Sequence, residues 1–254
     1  MLEIKRLTKH FKGLCAVNNL DLETNAGEIV GIIGPNGAGK TTIFNLVTGF
    51  LKPTSGRVIF ENTDVTGHSP HTIARDGIVR TFQLDRIFHE FSVVQNVVTA
   101  SHLYAGIGFW EAAFNTSRYR KKNQKAWDHA RKIVQFVGLE NKENDTARNL
   151  SHGHQKLLGI AIALAASPKV LLLDEPLGGM NPNEVDAALK IIRGIREKGI
   201  AILLIEHNMR AVMNICDRLV VLNFGQEIAR GTPDEMQNNK EVVQAYLGAG
   251  KYAA

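Results

Sequence analysis

Short runs of apolar residues recur along the chain, separated by longer stretches with helical periodicity. The runs are Ile29–Ile33, Val170–Leu173, Ala201–Ile205 and Arg218–Leu222. Runs of this length that are apolar or rich in β-branched residues, rather than alternating, are typical of strands buried on both faces. Between two of them, Glu184–Lys198 has its apolar residues at helical spacing, with a proline ahead of it and a glycine behind it. Strands separated by such helices predict an α/β fold with a mostly parallel sheet.

The middle of the chain has a different pattern. From about Leu84 to Gly138 there is no comparable apolar run, and Arg118–Val137 has the spacing of an amphipathic helix. We therefore expect a helical lobe, at about residues 84–160, inserted into a single domain that spans residues 1–254. After Gly231 the pattern predicts one further helix, Pro233–Leu247.

Composition narrows the class of protein without identifying a function. The 254 residues are 44% hydrophobic and 22% charged, which is typical of a soluble globular protein. The longest apolar stretch, Leu157–Ala166, is far shorter than the roughly 20 residues of a membrane span, and the N-terminus lacks a signal-peptide pattern. Cys15 and Cys216 lie far apart, which excludes a disulfide scaffold or a cysteine-rich zinc site and favours the cytosol. The net charge of +5 only slightly favours an anionic ligand.

A phosphate-binding loop follows the first apolar run. Residues Gly34–Thr41 fit the pattern G-x-x-x-x-G-K-[ST] between a predicted strand and a predicted helix. The glycines of the loop let successive backbone N–H groups point inward, and the helix adds its positive end. We expect Lys40 to reach the outer phosphates of a nucleotide and the Thr41 hydroxyl to bind Mg²⁺. This loop alone does not separate kinases, GTPases and ATPases.

Polar side chains follow three other predicted strands. Asp174 and Glu175 end the run Val170–Leu173; we expect Asp174 to hold Mg²⁺ through water and Glu175 to take a proton from an attacking water. His207 follows Ala201–Ile205, where it could bind the terminal phosphate or orient the water. Gln83 follows Ile78–Phe82, a segment that could form a further strand, and its flexible amide could reach both metal and water. Taken singly, the acidic pair could belong to a surface turn, a lone histidine is more often structural than catalytic, and a glutamine carries no signal.

The stretch Leu150–Gln155, L-S-H-G-H-Q, resembles the signature L-S-G-G-Q of the ATP-binding cassette (ABC) ATPases. With it, the order of motifs in that family is complete: phosphate loop, Gln83, signature, the acidic pair, a D-loop at Gly179–Asn181, and His207. The resemblance covers essentially the whole chain. It implies a P-loop NTPase core with a mostly parallel sheet, a small antiparallel β part at the N-terminus and an inserted helical lobe.

The resemblance also implies a site. ATP-binding residues would be Phe11, Val17, Asn36, Gly37, Ala38, Gly39, Lys40, Thr41, Thr42, Ser151 and Gly153. Phe11, with Val17 beside it, would contact adenine, whereas Ser151 and Gly153 would bind the γ-phosphate of an ATP held by the other subunit of a dimer. Catalytic residues would be Glu175, His207 and Gln83, and Mg²⁺ would be bound by Thr41, Gln83 and Asp174.

Two positions depart from the family pattern. His154 stands where the signature usually has glutamine, and Asn181 stands where many D-loops have aspartate. We also expect Ser151 to stabilise the start of the helix that follows, because serine is a favourable N-cap. The role of His154 is left open.

Within the family, segments such as Gly49–Gly56 and Gly77–Gln83 are most similar to ATPases of branched-chain amino-acid importers. Amide or urea importers and exporters of the lipopolysaccharide type remain as alternatives, although the 68 residues from Gln83 to Ser151 are long for the latter. An [NT]KxD guanine motif is absent, which argues against a GTPase. The implied partners are an identical or similar ATPase subunit, two transmembrane permease subunits and an extracytoplasmic solute-binding protein, with no nucleic acid. The implied location is the cytoplasmic face of the cell membrane.

One segment is not explained by these motifs. Tyr104–Tyr119 contains five of the chain's 17 aromatic residues, and a basic cluster overlaps and follows it at residues 118–125. Two interpretations stay open: local packing with a solvated charged face, or a surface that meets the permease or lipid headgroups.

Overall fold

A computed structural model describes residues 1–81, 87–104 and 116–249. Its strands are β1 Leu2–Phe11, β2 Leu14–Thr24, β3 Ile29–Ile33, β4 Ser55–Phe60, β5 Thr63–Asp64, β6 Ile78–Arg80, β7 Val170–Asp174, β8 Ala201–Ile205, β9 Arg218–Asn223 and β10 Gln226–Gly231. Its α-helices are α1 Lys40–Val47, α2 Pro70–Asp76, α3 Val93–Tyr104, α4 Ser117–Phe136, α5 His152–Ala165, α6 Pro182–Glu197, α7 Met209–Ile215, α8 Pro233–Gln237 and α9 Lys240–Ala249. Two short 3-10 turns lie at Glu140–Lys142 and Ala147–Asn149.

The larger sheet has six strands in the order β10-β9-β3-β8-β7-β6. All neighbours are parallel except β9 and β10, which pair antiparallel. Alternate residues of its central strands face two different cores: Leu171 and Leu173 pack on one side, Val170 and Leu172 on the other. Both faces are therefore covered, which explains why these strands are uniformly apolar and confirms the α/β prediction.

The second sheet is antiparallel, with strand order β2-β1-β4-β5 near the N-terminus. Its inward residues, such as Leu2 and Leu22, share one apolar cluster with Phe44 of α1 and with one face of the larger sheet. This packing fixes the antiparallel sheet against the helix that follows the phosphate loop. The small antiparallel part implied by the family resemblance is thus present.

A helical lobe lies between β6 and β7, where α3, α4 and α5 pack on one another. Helix α4 buries Ala126, Ala130, Ile133 and Val134 on one face. Its opposite side exposes part of the basic cluster, including Lys121 and Lys125. The lobe and the other face of the larger sheet share one apolar cluster.

The prediction of a single helix Pro233–Leu247 is wrong, because α8 and α9 are separate helices. The break lies at Asn238 and Asn239. The Oδ1 atom of Asn239 accepts hydrogen bonds from the backbone N–H of Glu241 at 2.9 Å and of Val242 at 3.3 Å. A side chain that binds free N–H groups in this way starts a new helix rather than continuing the old one.

Within the three described ranges, every helix is too short or too polar to cross a lipid bilayer.

Candidate functional site

The candidate site lies where three neighbouring parallel strands of the larger sheet end. The phosphate loop follows β3, the acidic pair ends β7, and His207 follows β8. Strand β8 pairs with both of the others, and Asp174 is directly opposite Ile205 in the ladder. Because ligands of open parallel sheets bind at the carboxyl ends of strands, these three sets of side chains form the natural site of this fold.

The phosphate loop has the backbone of an anion-binding cradle. Gly39 is the N-cap of α1 with φ 104°, and a Cβ at this position would collide with the carbonyl oxygen of Ala16, so glycine is required. The ammonium of Lys40 donates hydrogen bonds to the carbonyl oxygens of Gly34, at 2.7 Å, and Pro35, at 2.9 Å. Lys40 is thus held over the loop whose N–H groups would surround phosphate.

The electrostatics of the loop follow from this burial. Desolvation lowers the pKa of Lys40 below the ordinary value for a lysine, and the negative charges of Glu175 and Asp174 partly offset that effect. The two carboxylates act on Lys40 from the carboxyl end of β7, so the cation and the two anions belong to one electrostatic site.

An open cavity of about 360 Å³ lies over the loop. It is lined by Phe11, Leu14, Cys15, Ala16, Asn36, Gly37, Ala38, Gly39, Lys40, Thr41, Thr42, Glu175, His207 and Phe224. One part of this lining is apolar and aromatic, and the rest is the loop with the charged side chains. The combination suits a molecule with a flat apolar ring and a chain of phosphates.

The structure places most of the ATP-binding residues expected within one chain around this cavity. Phe11 lines it with 42% of its surface exposed. Val17 does not line it: the side chain is 1% exposed and packs in the core. Phe224, which was not predicted from the sequence, lines the cavity from the turn between β9 and β10. An exposed aromatic residue beside a glycine in a tight turn is a signal that could have revealed it.

Glu175 and His207 are in direct contact. The Nε2 atom of His207 lies 2.8 Å from Oε1 of Glu175. Glu175 has the left-handed backbone conformation, with φ 47°, and it is held there by hydrogen bonds from its N–H to the Ile205 carbonyl and from Lys156 to its own carbonyl. A non-glycine residue fixed in this conformation is characteristic of functional sites.

Glu206 supports this pair from the core and was not singled out from the sequence. The residue is 4% exposed, and its carboxylate accepts hydrogen bonds from the N–H groups of Leu177, at 2.7 Å, His207, at 2.9 Å, and Asn208, at 3.2 Å. One buried carboxylate thereby fixes the loop after β7 and the loop after β8 relative to each other.

Asp174 is held by Arg80, a residue that no sequence pattern singled out. The Nη2 atom of Arg80 lies 2.5 Å from Oδ2 of Asp174, and Nη1 lies 2.6 Å from Oδ1 of Asn45 in α1. The backbone N–H of Asp174 donates to the Thr81 hydroxyl at 3.3 Å. Gln83, the predicted site residue of this segment, lies outside the described residues.

The residues present fit a magnesium ion bound together with a nucleotide. Thr41 offers a hydroxyl and Asp174 a carboxylate, and oxygen donors of this kind, completed by water and phosphate oxygens, are the ligands that Mg²⁺ prefers. In the part of the chain that the structure describes, no group of three or more histidine, cysteine or acidic side chains forms a separate metal site.

The signature residues begin helix α5 and lie outside the cavity. Ser151 is the N-cap, and its hydroxyl accepts a hydrogen bond from the backbone N–H of His154. The same hydroxyl oxygen lies 2.8 Å from Nδ1 of the His154 ring. Gly153 is buried against Glu184, which belongs to the capping box of Asn181 at the start of α6. A Cβ on Gly179 would likewise meet the ring of His152, so the signature and the D-loop are in contact with each other. Neither lines the cavity over the phosphate loop of the same chain.

Comparisons with known proteins agree with this geometry. Residues 17–178 match the ABC transporter family, and residues 226–252 match the family of branched-chain amino acid ATP-binding cassette transporters. The chain is 41% identical to the high-affinity branched-chain amino acid transport ATP-binding protein BraF of Pseudomonas aeruginosa and 42% identical to LivG of Escherichia coli, with 98% of each chain covered.

Among solved structures, the ADP conformation of MJ1267, an ATP-binding cassette of an ABC transporter, superimposes with a TM-score of 0.85. It is 34% identical to this chain, and the alignment covers 98% of both. Sequence, fold and site geometry lead to one conclusion: the chain belongs to the ABC transporter family and is an ATP-hydrolysing subunit of that family.

Proposed function

We propose that this chain powers an importer of branched-chain amino acids. The observation that carries the proposal is the match of residues 226–252 to the branched-chain amino acid cassette family. It is supported by relatives described as branched-chain amino acid transport ATP-binding proteins, which align over 98% of the chain. The core motifs are shared by many transporters, so the C-terminal segment is the more specific feature.

ATP would bind in the cavity over the phosphate loop. The N–H groups of residues 36–42 would surround the phosphates, and Lys40 would exchange its two carbonyl partners for phosphate oxygens. Adenine would lie on Phe11, and Phe224 offers a second apolar surface on the same cavity. Lys40 is already oriented toward the loop, so binding would require a change of partners rather than a large movement.

Hydrolysis would depend on Glu175 and His207. The Glu175 carboxylate would take the proton of the water that attacks the γ-phosphate, and His207, bonded to that carboxylate, would orient the reacting groups. Mg²⁺, held by the Thr41 hydroxyl, by Asp174 through water and by Gln83, would neutralise charge that develops on the phosphate oxygens. The buried Glu206 would hold His207 in a fixed position relative to the loop after β7.

A second ATPase subunit would complete the site. Ser151 and Gly153 lie outside the cavity of their own chain, and Ser151 is exposed at a helix N-terminus, which favours an anion. We infer that they bind the γ-phosphate of an ATP held by an identical or similar subunit. Two ATPs would then be enclosed between two chains, and closing and reopening of the dimer would drive transport.

The remaining partners follow from the same proposal. Two transmembrane permease subunits would carry the transport path, and an extracytoplasmic solute-binding protein would deliver the amino acid. This chain would lie on the cytoplasmic face of the membrane and would bind no nucleic acid.

A reconstituted transporter tests the proposal. The chain would be purified with candidate permease subunits and inserted into vesicles, with a candidate solute-binding protein added outside and ATP inside. We expect uptake of labelled leucine, isoleucine or valine that stops when Glu175 is replaced by glutamine. Uptake of a different class of solute, with no response to these three amino acids, would refute the substrate assignment while leaving the ATPase assignment intact.

A further inference from the structure

Arg80 joins three parts of the candidate site. It ends β6, and its guanidinium bonds Asp174 at the end of β7 and Asn45 in α1, at 2.5 and 2.6 Å. The same group lies 5.6 Å from the centre of the Phe44 ring, also in α1. The two partners of its hydrogen bonds thus belong to the acidic strand end and to the helix that follows the phosphate loop.

The ion pair is sheltered from water. The side chains of Arg80 and Asp174 are 14% and 10% exposed, whereas the pair of Arg57 and Asp64 is 72% and 49% exposed with a separation of 3.9 Å. Exposed ion pairs contribute little to stability, but a short, largely buried pair with a second hydrogen bond to a neutral side chain restricts both groups to one geometry. Asp174 is therefore oriented before any ligand binds.

Arginine is suited to this arrangement for a chemical reason. Its planar guanidinium presents two nitrogen atoms in a fixed fork, so one can bond a carboxylate while the other bonds an amide oxygen. Lysine would provide the charge but only one donor atom, and could not hold Asp174 and Asn45 in the same fixed relationship.

We propose that Arg80 is a positioning residue for the magnesium site. It binds Oδ2 of Asp174 and would leave Oδ1 for a water bound to the metal. Through Asn45 it fixes this carboxylate relative to α1, whose first turn carries Thr41. The inference rests on the proposed assignment of Asp174 to Mg²⁺, and it assigns Arg80 no contact with the nucleotide.

The test compares Arg80→Lys and Arg80→Met with Asp174→Asn and with the control Arg57→Met, which removes an exposed arginine of the antiparallel sheet. Affinity for a fluorescent ATP analogue would be measured in EDTA and during a titration with Mg²⁺, and thermal unfolding would verify that each variant folds. Loss of an outer-shell partner typically weakens metal binding about 10–100-fold. Both Arg80 variants should therefore need at least about 10-fold more Mg²⁺, with unchanged affinity in EDTA, whereas Arg57→Met should match the wild type.

The possible outcomes separate this inference from the site assignment. If Asp174→Asn raises the Mg²⁺ requirement but both folded Arg80 variants do not, Arg80 is not a positioning residue. A lower Mg²⁺ requirement in these variants would also overturn the inference, since Arg80 would then compete with the metal for the carboxylate. If Asp174→Asn itself leaves the requirement unchanged, the magnesium assignment fails first. Should Arg80→Met fail to fold, Arg80→Lys, which keeps the charge, decides the question.

Discussion

The imidazole of His207 lies 2.8 Å from the carboxylate of Glu175, although the two residues follow different strands. The contact exists because β7 and β8 are adjacent and parallel, so the residues that follow them meet at one edge of the sheet. It joins the group proposed to accept a proton from water to the group proposed to orient the reaction. Both side chains line the cavity over the phosphate loop.

Replacing Glu175 with glutamine should stop hydrolysis without preventing ATP binding. Glutamine keeps the size of the side chain and a hydrogen bond to His207, but it cannot accept the proton of water. We expect phosphate release to fall about 10²–10⁴-fold, the usual contribution of a general base. A fluorescent ATP analogue should still bind, and Glu197→Gln, an exposed glutamate of α6, serves as the control. Near-normal turnover in Glu175→Gln would remove Glu175 from the mechanism.

Replacing Glu206 with alanine should destabilise the fold. The change would leave three backbone N–H groups without their carboxylate partner at a buried position. We expect the free energy of unfolding in urea to fall by about 3 kcal/mol, because each unsatisfied buried group costs about 1–3 kcal/mol and some relaxation will occur. Glu90→Ala is the matched control, since that side chain is 72% exposed and its ion pair should contribute less than about 1 kcal/mol. Equal losses in the two variants would contradict a structural role for Glu206.

Replacing Gly153 with alanine should disturb the signature through Glu184. A Cβ at this position would lie 2.6 Å from Oε1 of Glu184, whose other oxygen accepts a hydrogen bond from the Asn181 N–H. The new methyl group must therefore displace a residue of the D-loop cap. Because only the carboxylate end of a flexible side chain has to move, we expect Gly153→Ala to lower ATPase activity modestly, measured as phosphate release.

The double variant Gly153→Ala, Glu184→Ala provides the control for this prediction. It removes the steric conflict at a cost of about 1 kcal/mol for the lost capping contact. Activity that recovers relative to Gly153→Ala alone supports the steric explanation. Activity that does not recover would show that Gly153 is required for another reason.

Cys216 should make stability depend on pH in the alkaline range. Burial, with a smaller contribution from Asp217, raises the pKa of the Cys216 thiol from its ordinary value of 9.0 to about 12. Above pH 9 the thiol ionises in the unfolded chain but not in the folded one, so the unfolded chain binds fewer protons and stability falls as pH rises.

The variant Cys216→Ala isolates this effect. It should be less stable at pH 7, by about 1 kcal/mol for the small cavity, because the sulfur packs against Gly31 of β3. The difference from the wild type should shrink, and then reverse, by roughly 1 kcal/mol per pH unit above pH 9. Urea unfolding at a series of pH values measures it, and a difference that stays constant up to pH 11 would contradict the raised pKa.

The sequence was informative where structure is determined locally. Ile29–Ile33 and the loop that follows are recognisable because burial on both faces and the need for glycine are properties of consecutive residues. The pair Glu175 and His207 was also predictable, since each follows an apolar strand. The motif order then identified the family.

Other relationships depend on distant parts of the chain. Arg80 bonds Asn45 and Asp174 across 35 and 94 residues, and no periodicity of one segment reveals such a bond. Glu206 likewise bonds Leu177 in another loop. The division of the C-terminal helix was missed for a local reason, because Asn239 was taken as a helical residue rather than as a cap.

Light scattering on the Glu175→Gln variant tests most directly whether ATP is enclosed between two subunits. With ATP, we predict a particle of about twice the 28.0 kDa of one chain, formed by this chain alone or with a similar ATPase subunit. With ADP, single chains should be found. Substitution of Ser151 by a bulky residue should prevent the ATP-dependent dimer while leaving nucleotide binding intact. Single chains that carry bound ATP, both alone and with the second ATPase, would contradict the account.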